Sequence, residues 1–372
     1  MKKRKVLDSN RILKVETTME ADNQLLEHLR STILGTPGRL RYQLTKIEEK
    51  LAHIKKIHFI ILTRKDNLLG SVGFIFRNTY CGKEKYKSWY IRYFSIKAPL
   101  REKEQKKEKF RNREKGSTLI RDIAMPYMEN PGRLEDDFNP KEKSLVYGYV
   151  ESQNFRSMNF SEQMKGITVR KYKTFIFSRL TLKRVNGVRR LSVGELEGFK
   201  KKVGLFYSDY SLFTDENLFL KDNYFILEKD GEPVIGAQIH LEFWRVLDLK
   251  GKFSKVMLRI LPRLPYIRRI FNPKAFRFLA LEGIWYKEGC EKYFNEFFEG
   301  LCYQFRIHIA LTWVDSKSDL FHALERNLNF GLIGNSFERT EVDVRITFNN
   351  YSEEEKKKFF DKPVYISAFD MI

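Results

Sequence analysis

The segment Arg111–Met128 reads RNREKGSTLIRDIAMPYM, and the fold of the chain turns on how it is read. Behind Gly116, the residues Leu119, Ile120, Ile123, Ala124, Tyr127 and Met128 recur at helical spacing, with Pro126 placed to kink or fray the last turn. Ahead of that helix, Arg113, Glu114, Lys115, Gly116, Ser117 and Thr118 form a short, largely basic loop. Unpaired backbone N–H groups and the helix dipole favour an anionic phosphate at such a helix start. Alone, the pattern Arg-x-x-Gly-x-Thr is weak, since about one match is expected by chance in a chain of this length. Gln163-x-x-Gly166-x-Thr168 matches too, but it leads into a strand-like run and presents no helix start. The order of the surrounding elements has to decide.

The chain has 372 residues, 42% of them apolar and 14% aromatic, a globular composition whose length suits two domains of roughly 150–200 residues. Its formal net charge of +21 attracts a polyanion: nucleic acid, an anionic membrane, an acidic protein or a phosphorylated cofactor. Cys81, Cys290 and Cys302 are too few and too scattered for a disulfide framework or a cysteine-rich metal site. The basic N-terminus lacks an apolar signal region, and no run of 18 apolar residues suggests a membrane span. These features set the expectation of a reducing, cytoplasmic setting.

Apolar alternation predicts strands over Arg11–Met19, His58–Thr63, Leu68–Phe76, Ser88–Ile96 and Leu145–Val150, with a strand pair around Val169–Leu180. Helical periodicity predicts two helices between Ala21 and Lys56, the second marked by Leu44, Ile47, Leu51 and Ile54, and a short one over Glu151–Met164. A charged insertion, Lys97–Lys109, precedes the Arg113 loop. This order of elements, with a phosphate loop after the fourth strand, resembles the GCN5-related N-acetyltransferase (GNAT) family over roughly residues 10–183. In that family the loop reads Arg/Gln-x-x-Gly-x-Gly/Ala and cradles the pyrophosphate of coenzyme A. Here Arg113 and Gly116 match, and Thr118 departs from the usual small residue. The Asn that such domains place after the next strand is Asn154, followed by a helix and Gly166-Ile167. The tyrosine that often serves as general acid in that helix is missing, and Phe160 and Ser161 stand nearby.

Beyond Asn186-Gly187 the order recurs. Val193–Phe213 is helix-like, and Tyr224–Leu227 with Val234–Phe243 forms a hairpin. The stripe behind Gly116 returns as Tyr293, Phe294, Phe297, Phe298, Leu301 and Cys302, and Val150-Glu151-Ser152 as Val314-Asp315-Ser316. Element order kept while spacing drifts is what duplication with altered loops produces. The reading is therefore α/β (α+β): two tandem GNAT-like domains, residues 1–185 and 186–372, each a mixed, mostly antiparallel sheet flanked by helices. In the second copy Lys287 and Cys290 replace Arg113 and Gly116, and acids flank the helix start, which repels a pyrophosphate. That copy also carries a basic, amphipathic insertion, Lys250–Lys274, suited to a membrane, an acidic carrier, an acyl substrate or the covering of the sheet.

The resemblance implies an N-acyltransferase, most simply an N-acetyltransferase, using acetyl-CoA or another acyl-CoA held by the first domain. The acceptor is an amine on a small molecule, a peptide or an aminoacyl group. The loop Arg113–Thr118, the strand backbone at Phe94, Ser95 and Ile96, and Asn154 are the expected cofactor contacts. Glu151 is the candidate base and Tyr93 a candidate proton donor; Glu151 reads equally as an acid at a helix start, and Tyr93 as a core ring. The six histidines show no zinc spacing, and no Gly-x-Ser-x-Gly or Gly-Lys-Ser/Thr motif occurs. The alternative is a non-catalytic protein of the same fold that presents its basic surface to nucleic acid or an acidic protein.

Overall fold

The computed structural model describes residues 4–9, 13–36, 38–96, 118–249, 254–331, 334 and 341–372. The first half of the chain runs β1 (Lys5–Ser9), β2 (Leu13–Thr18), α1 (Asn23–Ser31), β3 (Arg41–Leu44), α2 (Ile47–His53), β4 (Ile57–Arg64), β5 (Asn67–Cys81), β6 (Glu84–Ile96), α3 (Thr118–Glu129), β7 (Ser144–Glu151), α4 (Phe155–Gln163) and β8 (Ile167–Ser178). The second half follows with β9 (Val188–Arg190), α5 (Leu196–Phe206), β10 (Tyr224–Lys229), β11 (Glu232–Asp248), α6 (Ser254–Ile260), α7 (Pro265–Ile270), β12 (Phe276–Tyr286), α8 (Phe294–Phe305), β13 (Ile309–Asp315), α9 (Asp319–Asn327), β14 (Val342–Asn349), α10 (Glu353–Asp361) and α11 (Ala368–Met371).

Local chemistry explains the hairpins. Lys65 and Asp66 take left-handed backbone (φ 47° and 63°) and close β4 onto β5; Asp230 and Gly231 (φ 52° and 79°) do the same for β10 and β11. Two positive φ angles in a two-residue loop match the twist of the flanking strands.

All the described strands join one 14-stranded sheet, in the order β1-β2-β4-β5-β6-β7-β14-β8-β13-β12-β11-β10-β9, with β3 added to β11. The pairings are antiparallel except β6 with β7 and β12 with β13, which are parallel. The centre of the sheet is exchanged between the halves. The last strand of the second half, β14, pairs with β7 of the first, and the last strand of the first half, β8, pairs with β13 of the second. β14 and β8 then pair with each other. The position expected to divide the halves, after residue 185, falls between β8 and β9, and strands from both sides of it interleave.

Helices cover both faces. Ala124, Met125 and Met128 of α3 pack with Val72, Phe74 and Trp89 on one face of the first half. Phe294, Phe297, Phe298 and Leu301 of α8 do likewise with Ile235, Leu279 and Leu281 in the second. A third cluster runs between the halves, joining Leu25, Ile47 and Phe59 to Trp244, Phe278, Leu311 and the C-terminal Phe369 and Ile372. Pro126 lies inside α3, which continues to Glu129.

Several expectations need correction. Leu44 belongs to a strand, because Arg41–Leu44 pairs with Trp244–Asp248 and Tyr42 stacks on Trp244 at 3.9 Å; α2 starts only at Ile47. Tertiary pairing overrides the local helical spacing there. The helix expected over Val193–Phe213 is confined to Leu196–Phe206, and that over Glu151–Met164 to Phe155–Gln163. The pair around Val169–Leu180 is a single strand. The Lys97–Lys109 insertion and the loop from Arg113 to Ser117 lie outside the described residues.

Lys50 is 4% exposed, with Nζ 3.0 Å from Glu242 Oε2 but poorly aligned for a hydrogen bond. Burial pushes the ammonium down to about 7, against the opposing pull of Glu242. Replacing Lys50 by Met leaves a buried, unpaired carboxylate and is expected to cost about 3–5 kcal/mol in urea unfolding, with Lys50→Met/Glu242→Leu recovering most of it. In the native state Lys50 holds fewer protons than in the unfolded chain between about pH 7 and 10.5, so its share of stability rises with pH across that window.

Candidate active site

The two parallel pairings are short. β6 pairs with β7 only over Lys87–Tyr90 and Ser144–Tyr147, and β12 with β13 only at Leu279–Ala280 and Ala310–Leu311. Beyond these points each pair of strands diverges and opens a cleft in the sheet. At each divergence the upstream strand carries a bulge. The ladder steps from Ser71↔Ser95 to Gly73↔Arg92 in the first half and from Gly236↔Trp285 to Gln238↔Glu282 in the second. The residues thrown out of register are Tyr93 and Gly283, both with φ 58°. Glycine takes that conformation freely, whereas Tyr93 holds it at a strain of about 1–3 kcal/mol. A bulge leaves its extra residue out of the ladder, and the Tyr93 carbonyl accepts from the Ser71 hydroxyl of β5 at 3.5 Å.

The clefts have opposite fates. In the second half the chain fills its own. Tyr365 donates to Glu282 Oε1 at 3.1 Å, Tyr207 donates to the Ile284 carbonyl at 2.6 Å, and Val364 N donates to Asp315 Oδ2 at 2.9 Å. A cavity of about 20 Å³ remains. In the first half the cleft opens into a cavity of about 1580 Å³, walled by Ile91–Phe94 on one side and Gly148–Glu151 on the other. The cavity continues across β8 and β13 into an apolar compartment lined by Trp244, Leu249, Phe276, Leu311 and Trp313.

Tyr93 is 6% exposed and lines the cavity, and its hydroxyl has no partner among the described residues. Burial raises its pKa, so the phenol stays protonated. Phe94 also lines the cavity, stacked on Phe160 at 4.5 Å. Ser95 does not; it is buried and accepts a hydrogen bond from the Thr32 hydroxyl at 3.0 Å. Ile96 ends β6 and Thr118 starts α3, but the side chains of both lie outside the described residues, and Arg113, Glu114, Lys115, Gly116 and Ser117 lie outside them altogether. Glu151 lines the cavity and accepts from the Thr36 hydroxyl. Asn154 lines it too, but its Oδ1 caps α4 by accepting from Ser157 N at 3.2 Å. Ser161 Oγ accepts from Arg345 Nε of β14 at 2.8 Å, so the hydroxyl near the missing tyrosine is held by the exchanged strand.

The sequence reading missed Asp370. Asp370 lies among the residues lining the cavity, on α11; the residue is 2% exposed and its side chain 0%. Oδ1 accepts from Arg77 Nη2 at 2.7 Å, while Oδ2 is buried without a partner among the described residues. Burial raises its pKa above the usual carboxylate range, against the pull of Arg77. Its position is clamped by three groups from the first half. Arg77 pairs with Asp370 and, at 3.3 Å, with Glu216; Tyr90 donates to the Asp370 carbonyl at 2.8 Å; Arg92 donates to the Phe369 carbonyl at 2.9 Å. A lone acid within the apolar run Val364–Ile372 was the available signal, because an acid is seldom buried unless it is paired. Among the described residues no group of three or more His, Cys, Asp or Glu is placed to hold a metal.

A sheet that splays at a parallel pair beside a bulged strand, built twice in one chain, is the tandem GNAT fold. No family model matches the sequence, and no curated protein is similar to it at the sequence level. Solved structures are similar. The myristoyl-CoA complex of Saccharomyces cerevisiae N-myristoyltransferase superposes with a TM-score of 0.55 over 95% of this chain and 89% of that one, at 10% identity. A probable N-acyltransferase from Enterococcus faecalis gives 0.46 at 10% identity over 90% and 73% of the two chains, and a GCN5-related N-acetyltransferase from Anabaena variabilis 0.45 at 7% over 89% and 72%. At such identities the likeness concerns the fold. Among the described residues no helix is long and apolar enough to cross a membrane.

Proposed function

We propose that the protein is an acyl-CoA-dependent N-acyltransferase whose acyl donor occupies the first-half cleft and whose amine acceptor meets it at Asp370. The observation that carries this reading is the asymmetry of the clefts: one is filled by Tyr365 and its neighbours, the other opens on Tyr93 and a large cavity. Tyr93 and Asp370, two residues lining the same cavity, each hold a polar atom without a partner among the described residues, which suits a polar reaction there. In this reading residues 1–185 hold coenzyme A, with Arg113–Thr118 at its pyrophosphate, and residues 186–372 supply the acceptor side.

The neutral amine attacks the thioester carbonyl carbon, so that the C–N bond forms as the C–S bond breaks. Asp370 Oδ2 takes the proton the nitrogen loses and returns it to the departing thiolate, leaving an amide and a free thiol. A raised pKa suits Asp370 to this role, because a base works best with a pKa close to the working pH. Tyr93 donates a hydrogen bond and keeps its proton: a phenol shifted above 10 does not yield it to a thiolate whose pKa is about 8.5. Glu151 is the lesser candidate for base, since the Thr36 hydroxyl already engages it.

Titration calorimetry with acetyl-CoA and with a long-chain acyl-CoA tests the donor. Binding of at least one, abolished by Gly116→Glu and untouched by Cys290→Glu, is expected. If neither binds at near-millimolar concentration, the enzyme reading fails. If binding survives Gly116→Glu, the loop assignment fails alone.

A further inference from the structure

Between β11 and β12 the chain leaves the sheet for α6, a short 3-10 turn and α7, whereas the equivalent strands of the first half, β5 and β6, are joined by a tight turn at Gly82. Connecting the strands therefore does not require the excursion. Its inner side is accounted for: Ile267, Ile270 and Phe271 roof the apolar compartment opposite Trp244 and Leu311. Its outer side is not. Val256, Ile260 and Leu264 are 51%, 48% and 44% exposed, and they recur every four residues. Arg259, Arg263, Arg268 and Arg269 are exposed around them. From Leu249 to Arg277 the sequence contains no acidic residue.

Apolar side chains spaced every four residues, interleaved with arginines and free of acids, match an anionic lipid surface. The aliphatic groups enter the boundary between headgroups and acyl chains while the guanidiniums meet lipid phosphates. An acidic soluble protein would account for the arginines but not for the exposed aliphatic row. We propose that the segment 254–271 seats the protein on an anionic membrane surface, with the apolar compartment directly beneath it. The same short segment thus faces lipid on one side and the cavity on the other, which gives a lipophilic substrate a short path between them. The docking does not depend on acyl transfer and is tested apart from it.

The test is co-sedimentation of the full chain with vesicles of phosphatidylcholine alone and of phosphatidylcholine with about 30% phosphatidylglycerol, in about 0.1 M salt. Strong binding to the anionic vesicles alone is expected. Ile260→Asp/Leu264→Asp and Arg259→Glu/Arg263→Glu are each expected to weaken it at least about tenfold while leaving the thermal midpoint unchanged, since all four residues are exposed. A solvatochromic dye on Leu264→Cys, in a Cys290→Ser background, should shift to the blue with the same vesicles. Failure of the wild type to bind overturns the proposal. So does binding that neither double variant weakens, which would place the contact on another basic face. Binding lost on charge reversal but kept by Ile260→Asp/Leu264→Asp, with no dye shift, also overturns it, because that pattern marks a purely electrostatic contact such as an acidic protein makes.

Discussion

Asp370→Asn is expected to lower kcat for acyl transfer by about 10²–10⁴-fold while leaving the affinity for acyl-CoA within a few-fold of wild type. The substitution preserves shape and keeps an oxygen for Arg77, but removes the basic lone pairs of Oδ2. The raised pKa sets the direction of the pH dependence. In the wild type, activity should fall on the acid side as Asp370 takes a proton, with a midpoint above the ordinary aspartate value of about 3.9. In Asp370→Asn that limb should vanish from the residual activity. A variant that loses activity but keeps the acid limb would show that Asp370 only positions its neighbours, and Glu151 would then be the group to replace. Removing the charge also unbalances Arg77, which is 2% exposed and whose remaining carboxylate partner among the described residues is Glu216 at 3.3 Å. Some loss of stability, up to about 3–5 kcal/mol, should accompany the kinetic effect. Kinetics should therefore be measured well below the unfolding transition of the variant.

The second large effect concerns the exchanged strands. Residues 1–185 and 186–372, expressed as separate chains, are expected to be unfolded or aggregated, and to give a soluble complex only when co-expressed. The first piece would expose the edge of β7, which β14 covers along its whole length from Ser144 to Glu151. The second would expose β13, which β8 covers from Ile309 to Asp315. Each is a long, apolar edge of the kind that drives aggregation. The exchange also carries polar anchors, since Arg345 of β14 reaches Ser161 at 2.8 Å and Thr168 at 3.3 Å. Thermal unfolding of the intact chain should accordingly show one transition, whereas two independently folded domains would give two. Soluble, monomeric halves with native-like circular dichroism would refute this.

What the sequence revealed and what it hid follow from the range of the interactions. The hairpins, α3 and α8 were readable because a turn or an amphipathic stripe is written in adjacent residues. Gly283 is also visible as a glycine within a strand pattern, which signals a bulge. Its counterpart Tyr93 carries no such mark, because the surrounding sheet imposes the strained backbone. The same holds for β3: Leu44 fits the helical spacing of Ile47, Leu51 and Ile54, and is a strand residue only because Trp244 stands opposite it. The exchange of β8 and β14 leaves no local trace, since either pairing uses the same alternation. Asp370 stayed hidden because it belongs to no motif and its partner Arg77 lies 293 residues away.

The interleaved centre of the sheet also bears on how the chain acquires its structure during synthesis. Ser152, at the end of the β7 region, bonds Asp343 across 191 residues. At roughly 5–20 residues per second, β7 waits on the order of 10–40 s after leaving the ribosome before its neighbour has been made. Throughout that interval the nascent first half presents an unpaired apolar edge, which is the kind of surface that chaperones recognise. Contacts of such separation also slow folding. Yield in a cell should thus depend on chaperone supply and temperature more than the stability of the finished protein would suggest.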